Sequence, residues 1–370
     1  MALWWERNAM FACLVKIGFV ATFLITSAAH AQMMNRLSPP KPPFAKFYFH
    51  FKNDEYSDFR PVLNADASQV IFERTKVKTT DTKLYIGDLS PDGKEKPFVD
   101  VKKSERADWC WNRSAGGRPT VGPVSFGQAE KDGGIWLVNP DGSNLRKLTG
   151  TAGMGYTSWY PDCNYLAVDI QKDSNPPGRW FSAKINTSGK VVAYPLGGTS
   201  LWTGFPSVNQ ANPTLISFAA QINGETSGTA NYYNQDQNYT FVSDTSNPFR
   251  PRVMPMERQI KPGLGFMAKY QARAGWWSPD GKWFAFESNR VCDNIAGQIY
   301  AIFIQDSAGR FPAMQVSDCE KWNVQHPKWY PAGANGISTQ LIASVAEANL
   351  EGTGPFHIAT FDVSDFVNWR

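Results

Sequence analysis

The chain of 370 residues is 42% hydrophobic and 14% aromatic, and its 37 Lys and Arg against 33 Asp and Glu give a formal net charge of +4. A charge that small, carried by scattered residues rather than runs, argues against a nucleic-acid partner. The 5 cysteines include no C-x-x-C pair, so neither a zinc site nor a dithiol redox motif is expected, and no cofactor fingerprint is present.

Residues 1–31 read as a cleaved secretory signal. Arg7 and Lys16 precede the apolar run Ile17–Ser27, and Ala29-His30-Ala31 places small residues at the two positions a signal peptidase reads. The run is shorter than the ~20 apolar residues of a spanning helix. The mature chain is therefore expected to begin at Gln32, to be periplasmic or secreted, and to have no membrane span. Cys110, Cys163, Cys292 and Cys319 survive processing, an even number that suits two disulfides in an exported protein.

Residues 32–57 form an N-terminal arm, with an extended Pro-rich stretch at Ser38–Pro43 and a strand-like Lys46–Phe51. From residue 58 to 370, short β-rich runs alternate with Gly, Pro, Asn and Asp turns. Two cassettes recur. One is an aromatic marker, a turn and a buried strand: Trp277-Ser278-Pro279-Asp280-Gly281-Lys282-Trp283 before FAFESNR, Trp159-Tyr160-Pro161-Asp162 before NYLAVDI, and Trp329-Tyr330-Pro331 before QLIASVA. Weaker copies start at Leu63 and Trp109, and Phe205-Pro206-Ser207-Val208 before LISFAA is a degraded one. The other cassette is a strand ending in a tight turn, clearest in IWLVNPDGSNLRKLT (Ile135–Thr149). In both, Pro fixes φ, Asp bonds back to its own backbone and Gly takes positive φ.

Marker spacings are 46 residues from Leu63 to Trp109, 50 from Trp109 to Trp159 and 52 from Trp277 to Trp329. The 118 between Trp159 and Trp277 fit two units, one carrying the polar insertion Asn223–Asn238. Six units predict an all-β, six-bladed β-propeller with four-stranded antiparallel blades. The last unit has only three strands before the chain ends. The arm segment Lys46–Phe51 is expected to supply the fourth and close the ring, the other reading being a loose arm.

The stretches WWSPDGKWFAFESNR and IWLVNPDGSNLRKLT resemble the WD40-like repeats of TolB-type propellers, which also occur in relatives of prolyl oligopeptidase and in oligogalacturonate lyases. The resemblance covers most of Phe59–Arg370 and implies fold far more than function. TolB itself carries an α/β domain before its propeller, whereas only Gln32–Ser57 stand there in this sequence.

No G-x-S-x-G motif occurs, and His50, His326 and His357 show no metal-ligand spacing, so no catalytic or metal residue is assigned. The inner strands of a propeller line an axial funnel. Three residues before each marker stand Arg60, Arg106, Tyr156, Phe205, Ala274 and His326, with Trp202 and Arg273 nearby in sequence. Arg60, Arg106, Arg273, Tyr156, Trp202 and His326 would suit an anionic or sugar-like ligand. They could equally brace adjacent blades, with Asp58 and Asp108 placed to neutralise two of the arginines. The expected function is a binding or protein-interaction module of the cell envelope with a protein or glycan partner. The alternative is a lyase or hydrolase acting on an acidic saccharide in the funnel. Blade topology also predicts the disulfides. Cys292 and Cys319 fall in loops on one face, and Cys110 and Cys163 at equivalent turns of consecutive blades.

Overall fold

The computed structural model describes residues 43–113, 119–130, 133–171, 180–197, 201–222, 239–247, 252–255, 271–292, 299–308, 312–332, 336–348 and 354–368. The expected signal segment and the insertion at 223–238 lie outside them. After a first strand, β1 (Phe47–His50), the chain lays down five four-stranded antiparallel sheets in sequence order. Blade 1 is β2 (Tyr56–Leu63), β3 (Gln69–Lys76), β4 (Thr82–Asp88) and β5 (Glu95–Pro97). Blade 2 is β6 (Ser104–Asn112), β7 (Thr120–Gln128), β8 (Ile135–Val138) and β9 (Arg146–Lys147). Blade 3 is β10 (Met154–Trp159), β11 (Tyr165–Gln171), β12 (Trp180–Asn186) and β13 (Val191–Ala193). Blade 4 is β14 (Leu201–Val208), β15 (Leu215–Ile222), β16 (Tyr239–Asp244) and β17 (Arg252–Pro255). Blade 5 is β18 (Ala272–Trp277), β19 (Trp283–Ser288), β20 (Ala301–Asp306) and β21 (Met314–Gln315).

Blade 6 is composite: β22 (Trp322–Trp329), β23 (Gln340–Glu347) and β24 (His357–Asp362) are completed by β1, which pairs with β24 from Phe47↔Phe361 to His50↔Ile358. The arm thus closes the ring. Phe47 stacks on Phe361 at 4.8 Å and meets Trp322 edge-on at 5.2 Å. Phe51 reaches on to blade 1, stacking on Phe72 at 5.7 Å. It fills the space over Gly87, where a Cβ would meet its ring at 2.6 Å.

Apolar clusters sit between consecutive blades. Ala285, Ile302 and Ile304 of blade 5 pack with Val324, Trp329, Leu341 and Val345 of blade 6, and the short helix α1 (Ser364–Val367) adds Phe366 and Val367. The marker tryptophans do more than fill space. Trp159 Nε1 donates to Asp108 O (3.2 Å), Trp277 Nε1 to Ser207 O (3.2 Å) and Trp329 Nε1 to Trp276 O (3.0 Å). Each indole clasps the inner strand of the preceding blade, which explains a tryptophan rather than a phenylalanine at a buried position.

Cys110 and Cys163 bridge blades 2 and 3 with Cα atoms 5.9 Å apart, and Cys292 and Cys319 stand 5.8 Å apart. Both pairs expected from blade topology are therefore at disulfide distance.

Candidate functional site

One irregularity repeats in every inner strand. The register shifts between Phe59 and Val62, Glu105 and Asp108, Gly155 and Thr157, Gly204 and Ser207, Arg273 and Trp276, and Gln325 and Lys328. At each bulge one non-glycine residue has positive φ: Arg60 (51°), Arg106 (58°), Tyr156 (25°), Phe205 (54°), Ala274 (48°) and His326 (56°). A left-handed residue with a Cβ costs roughly 1–2 kcal/mol, so six copies persist only because the surroundings over-determine them. These are the six positions three residues upstream of the markers. The bulge turns each side chain to the axis, where all six line one cavity.

Side chains on the second strands stitch the bulges together. The residue opposite the start of each bulge is Glu73, Gly127, Asp169, Ala219, Glu287 or Ser344. Four of these accept the bulge N–H of the next blade. Glu73 takes Arg106 N (2.5 Å), Asp169 takes Phe205 N (3.3 Å), Glu287 takes His326 N (2.6 Å) and Ser344 Oγ takes Arg60 N (3.1 Å). Gly127 and Ala219 have no side-chain acceptor to offer.

Glu73 and Glu287, together with Glu105, also hold the axial arginines. Arg60 Nη1 lies 2.6 Å from Glu73, Arg273 Nε 2.6 Å from Glu287, and Arg106 Nε 2.9 Å from Glu105. Asp58 and Asp108, the carboxylates expected to serve the arginines, are engaged elsewhere. Asp58 forms a two-point pair with Arg74 (2.8 and 2.8 Å), and Asp108 faces Lys328 at 3.7 Å while accepting Trp159 N at 2.9 Å. The reason is strand periodicity. Asp58 and Asp108 each stand two residues from their arginine, but the intervening bulge turns the two side chains apart.

Burial opposes the charge on Arg60, but Glu73, Tyr156 and Glu105 outweigh it, and the guanidinium stays protonated. Burial, reinforced by Arg60, Arg273, Lys328 and Arg106, pushes His326 well below its usual range, so the imidazole is neutral. Lys328 is pushed down to about 7 by burial, which Asp108 only partly offsets. Burial pushes Asp169 well above the usual carboxylate range, and its Oδ1 has no partner. Arg106 lies across Gly155, where a Cβ would stand 2.7 Å from its Nη1, so only glycine lets the guanidinium settle there.

The cavity enclosed by these residues has about 40 Å³ for a water-sized sphere. Arg60, Arg106, His326 and Lys328 form one side, and Tyr156, Phe205, Pro206, Ala274 and Trp276 the other. A second space of about 20 Å³ lies further along the axis among Trp109, Trp159, Trp277 and Trp329, and Lys328 and Trp276 border both. Of the sequence-derived candidates, Arg60, Arg106, Tyr156 and His326 converge here. Arg273 stands behind, its guanidinium over Tyr300 at 4.5 Å. Trp202 pairs with Gln221 in the blade 4 ladder, and its side chain lies outside the described residues. Glu73, Glu287 and Lys328 were missed, although Glu73, Asp169 and Glu287 share a signal. Each is an acid closing an apolar run ten residues after its marker, at 63 to 73, 159 to 169 and 277 to 287. Among the described residues no three potential metal ligands converge, and no helix is long and apolar enough to cross a membrane.

With this geometry the fold is that of a TolB-type six-bladed β-propeller. No family model and no curated protein matches the sequence. Among solved structures, the putative TolB from Agrobacterium tumefaciens aligns at 11% identity and a TM-score of 0.50, covering 82% of this chain and 90% of that one. TolB from Acinetobacter baumannii aligns at 13% identity and 0.47, over 84% of this chain but 64% of its own length. A Penicillium chrysogenum α-L-arabinanase complexed with arabinobiose aligns at 12% identity and 0.51, over 88% and 99%.

Proposed function

We propose that this chain is a binding and interaction module of the cell envelope, exported by its first 31 residues and presenting a propeller face to a protein or glycan partner. The observation that carries this reading is the use made of the axial charges. Each arginine of the funnel is held by a glutamate, two of those glutamates also tie one blade to the next, and the space left is about 40 Å³. A cavity of ~150 Å³ is needed to hold benzene, so a sugar ring would have to rest above this one. The cysteine pairs fit an oxidising compartment. The test is capture from envelope extract with the tagged mature chain, followed by reconstitution with the purified candidate. Saturable binding of a defined envelope protein or glycan supports the module, and failure with every envelope fraction removes it.

The alternative, a lyase or hydrolase of acidic saccharides, draws on one observation. Neutral His326 and the depressed Lys328 border the same cavity as two arginines, and Lys328, pushed down to about 7, can exchange a proton near neutral pH. The arabinanase shows that a propeller of this outline can host a glycan-processing enzyme. Release of unsaturated or reducing ends from uronate polymers, lost in Lys328→Met, would establish it in place of the module.

A further inference from the structure

Two hydrogen-bond donors in the axial cavity have nothing to bond. Tyr156 is 8% exposed, lines the cavity, and its hydroxyl has no partner. Arg60 lines the same cavity. Its Nη1 is spent on Glu73, while its buried Nε is without an acceptor. The Arg60 and Arg106 guanidiniums lie over the Tyr156 ring, at 5.5 and 4.4 Å from its centroid, so the orphan donors cluster in one corner. Buried polar atoms are paired in the great majority of native structures, and each exception calls for an explanation. Arg60 Nε can only donate and the Tyr156 hydroxyl can donate as well, so an acceptor is the group that serves both.

The wall adjoining this corner is apolar, formed by Phe205, whose ring lies 4.2 Å from that of Tyr156, with Pro206 and Ala274. A site with donors flanked by an apolar wall matches a short carboxylate better than a bare halide or a water cluster. The space of about 40 Å³ limits its size. At ~10–15 Å³ per water-sized occupant, it takes three or four non-hydrogen atoms. The arginine side chains keep 24% and 20% of their surface exposed, so the corner is reached from solvent.

We propose that the axial cavity is a binding site for a small carboxylate of the size of acetate, its oxygens accepting from Tyr156 Oη and Arg60 Nε and its methyl group resting on Phe205, Pro206 and Ala274. This inference goes beyond the envelope-module reading and does not depend on it. A partner docked on a propeller face leaves the cavity intact.

The test compares sodium acetate with sodium chloride at matched ionic strength, by thermal unfolding and by saturation-transfer NMR on the acetate methyl. A ligand of four heavy atoms is expected to bind in the millimolar range. At ten times its Kd it should raise Tm by about 2 °C over chloride. The variant is Tyr156→Phe, which keeps the ring under the guanidiniums and removes only an unpartnered hydroxyl. It should match the parent Tm in chloride and weaken acetate by about tenfold or more. Glucuronate, too large for the cavity, should give no shift. Equal effects of acetate and chloride would mean that water satisfies the donors and would overturn the proposal. So would unchanged acetate affinity in Tyr156→Phe, or binding of glucuronate as strong as that of acetate.

Discussion

Replacing Glu287 by alanine removes the one side chain that holds both Arg273 and the backbone of His326. Glu287 is 0% exposed, with Oε1 2.6 Å from Arg273 Nε and Oε2 2.6 Å from His326 N. The change leaves a buried guanidinium unpaired, at about 3–5 kcal/mol. Arg273 keeps 14% of its side chain exposed, which favours the lower end. It also orphans a buried N–H at a left-handed residue, about 1–2 kcal/mol more. A loss of about 4–5 kcal/mol should lower Tm by about 6 °C in a chain of this length. Removing both partners in Arg273→Ala/Glu287→Ala should recover at least about 2 kcal/mol relative to the sum of the single changes. The exposed pair Lys103–Glu130, 3.7 Å apart with side chains 47% and 45% exposed, supplies the control, and Glu130→Ala should cost under about 0.5 kcal/mol. Urea unfolding followed by tryptophan fluorescence measures all four variants. A loss below about 1 kcal/mol for Glu287→Ala, or strict additivity of the double variant, would refute the view that these carboxylates stitch the blades.

The disulfides close segments of 53 and 27 residues, so reducing them should cost about 4 and 3.5 kcal/mol respectively; thiol labelling of the unfolded oxidised chain should find no free cysteine among Cys110, Cys163, Cys292 and Cys319. His326, held well below its usual range by burial, refuses a proton that the unfolded chain accepts near pH 6.5. Stability should therefore fall as pH drops below about 6.5, by up to about 1.4 kcal/mol per pH unit from this residue, and His326→Asn, which tolerates positive φ, should flatten the slope. Asp169 has the opposite sign. Its folded pKa lies above the unfolded value, so its contribution is complete in acid and is lost as pH rises through the folded pKa. Asp169→Asn should be at least as stable as the parent at pH 8 in chemical unfolding, and a marked loss there would contradict a carboxyl whose ionisation burial opposes.

The fold was legible because a propeller repeats its local chemistry. A tryptophan followed by a proline-led turn recurs wherever an inner strand must clasp its neighbour, and Trp159, Trp277 and Trp329 do so with the same indole bond to a preceding carbonyl. Counting back from them reached all six bulge residues, since the bulge sits at a fixed offset from the clasp. The partners of the arginines were not reached by the same count. Asp58 and Asp108 are near in the chain, but Glu73 and Glu287 are near in space, one strand across. Sequence proximity is a poor guide to pairing in a sheet, where a cross-strand neighbour stands closer than a residue two positions away on the same strand. Lys328 was hidden for a related reason. Its ammonium lies over the Trp276 ring and faces Asp108 of a non-adjacent blade, a contact that only ring closure creates.

The six stitch positions also alternate in a way that shapes the cavity. Acids stand in blades 1, 3 and 5 as Glu73, Asp169 and Glu287, and small residues in blades 2, 4 and 6 as Gly127, Ala219 and Ser344. A full ring of acids would set six carboxylates around one axis, where burial and mutual repulsion would keep most of them protonated. Three are tolerable if each has a cation, and two do: Arg60 serves Glu73 and Arg273 serves Glu287. Blade 3 places Gly155 and Tyr156 where those arginines would come from, so Asp169 has no cation from its own inner strand and burial holds its carboxyl well above the usual carboxylate range. The polar wall of the cavity is formed by Arg60, Arg106, neutral His326 and Lys328 of blades 1, 2 and 6, and the aromatic and aliphatic wall by blades 3, 4 and 5. Blade 5 also pairs an acid with an arginine, but Arg273 stands over Tyr300 behind the cavity and blade 5 lines it with Ala274, Gly275 and Trp276, which leaves a nearly six-fold framework with a cavity of two chemically distinct sides.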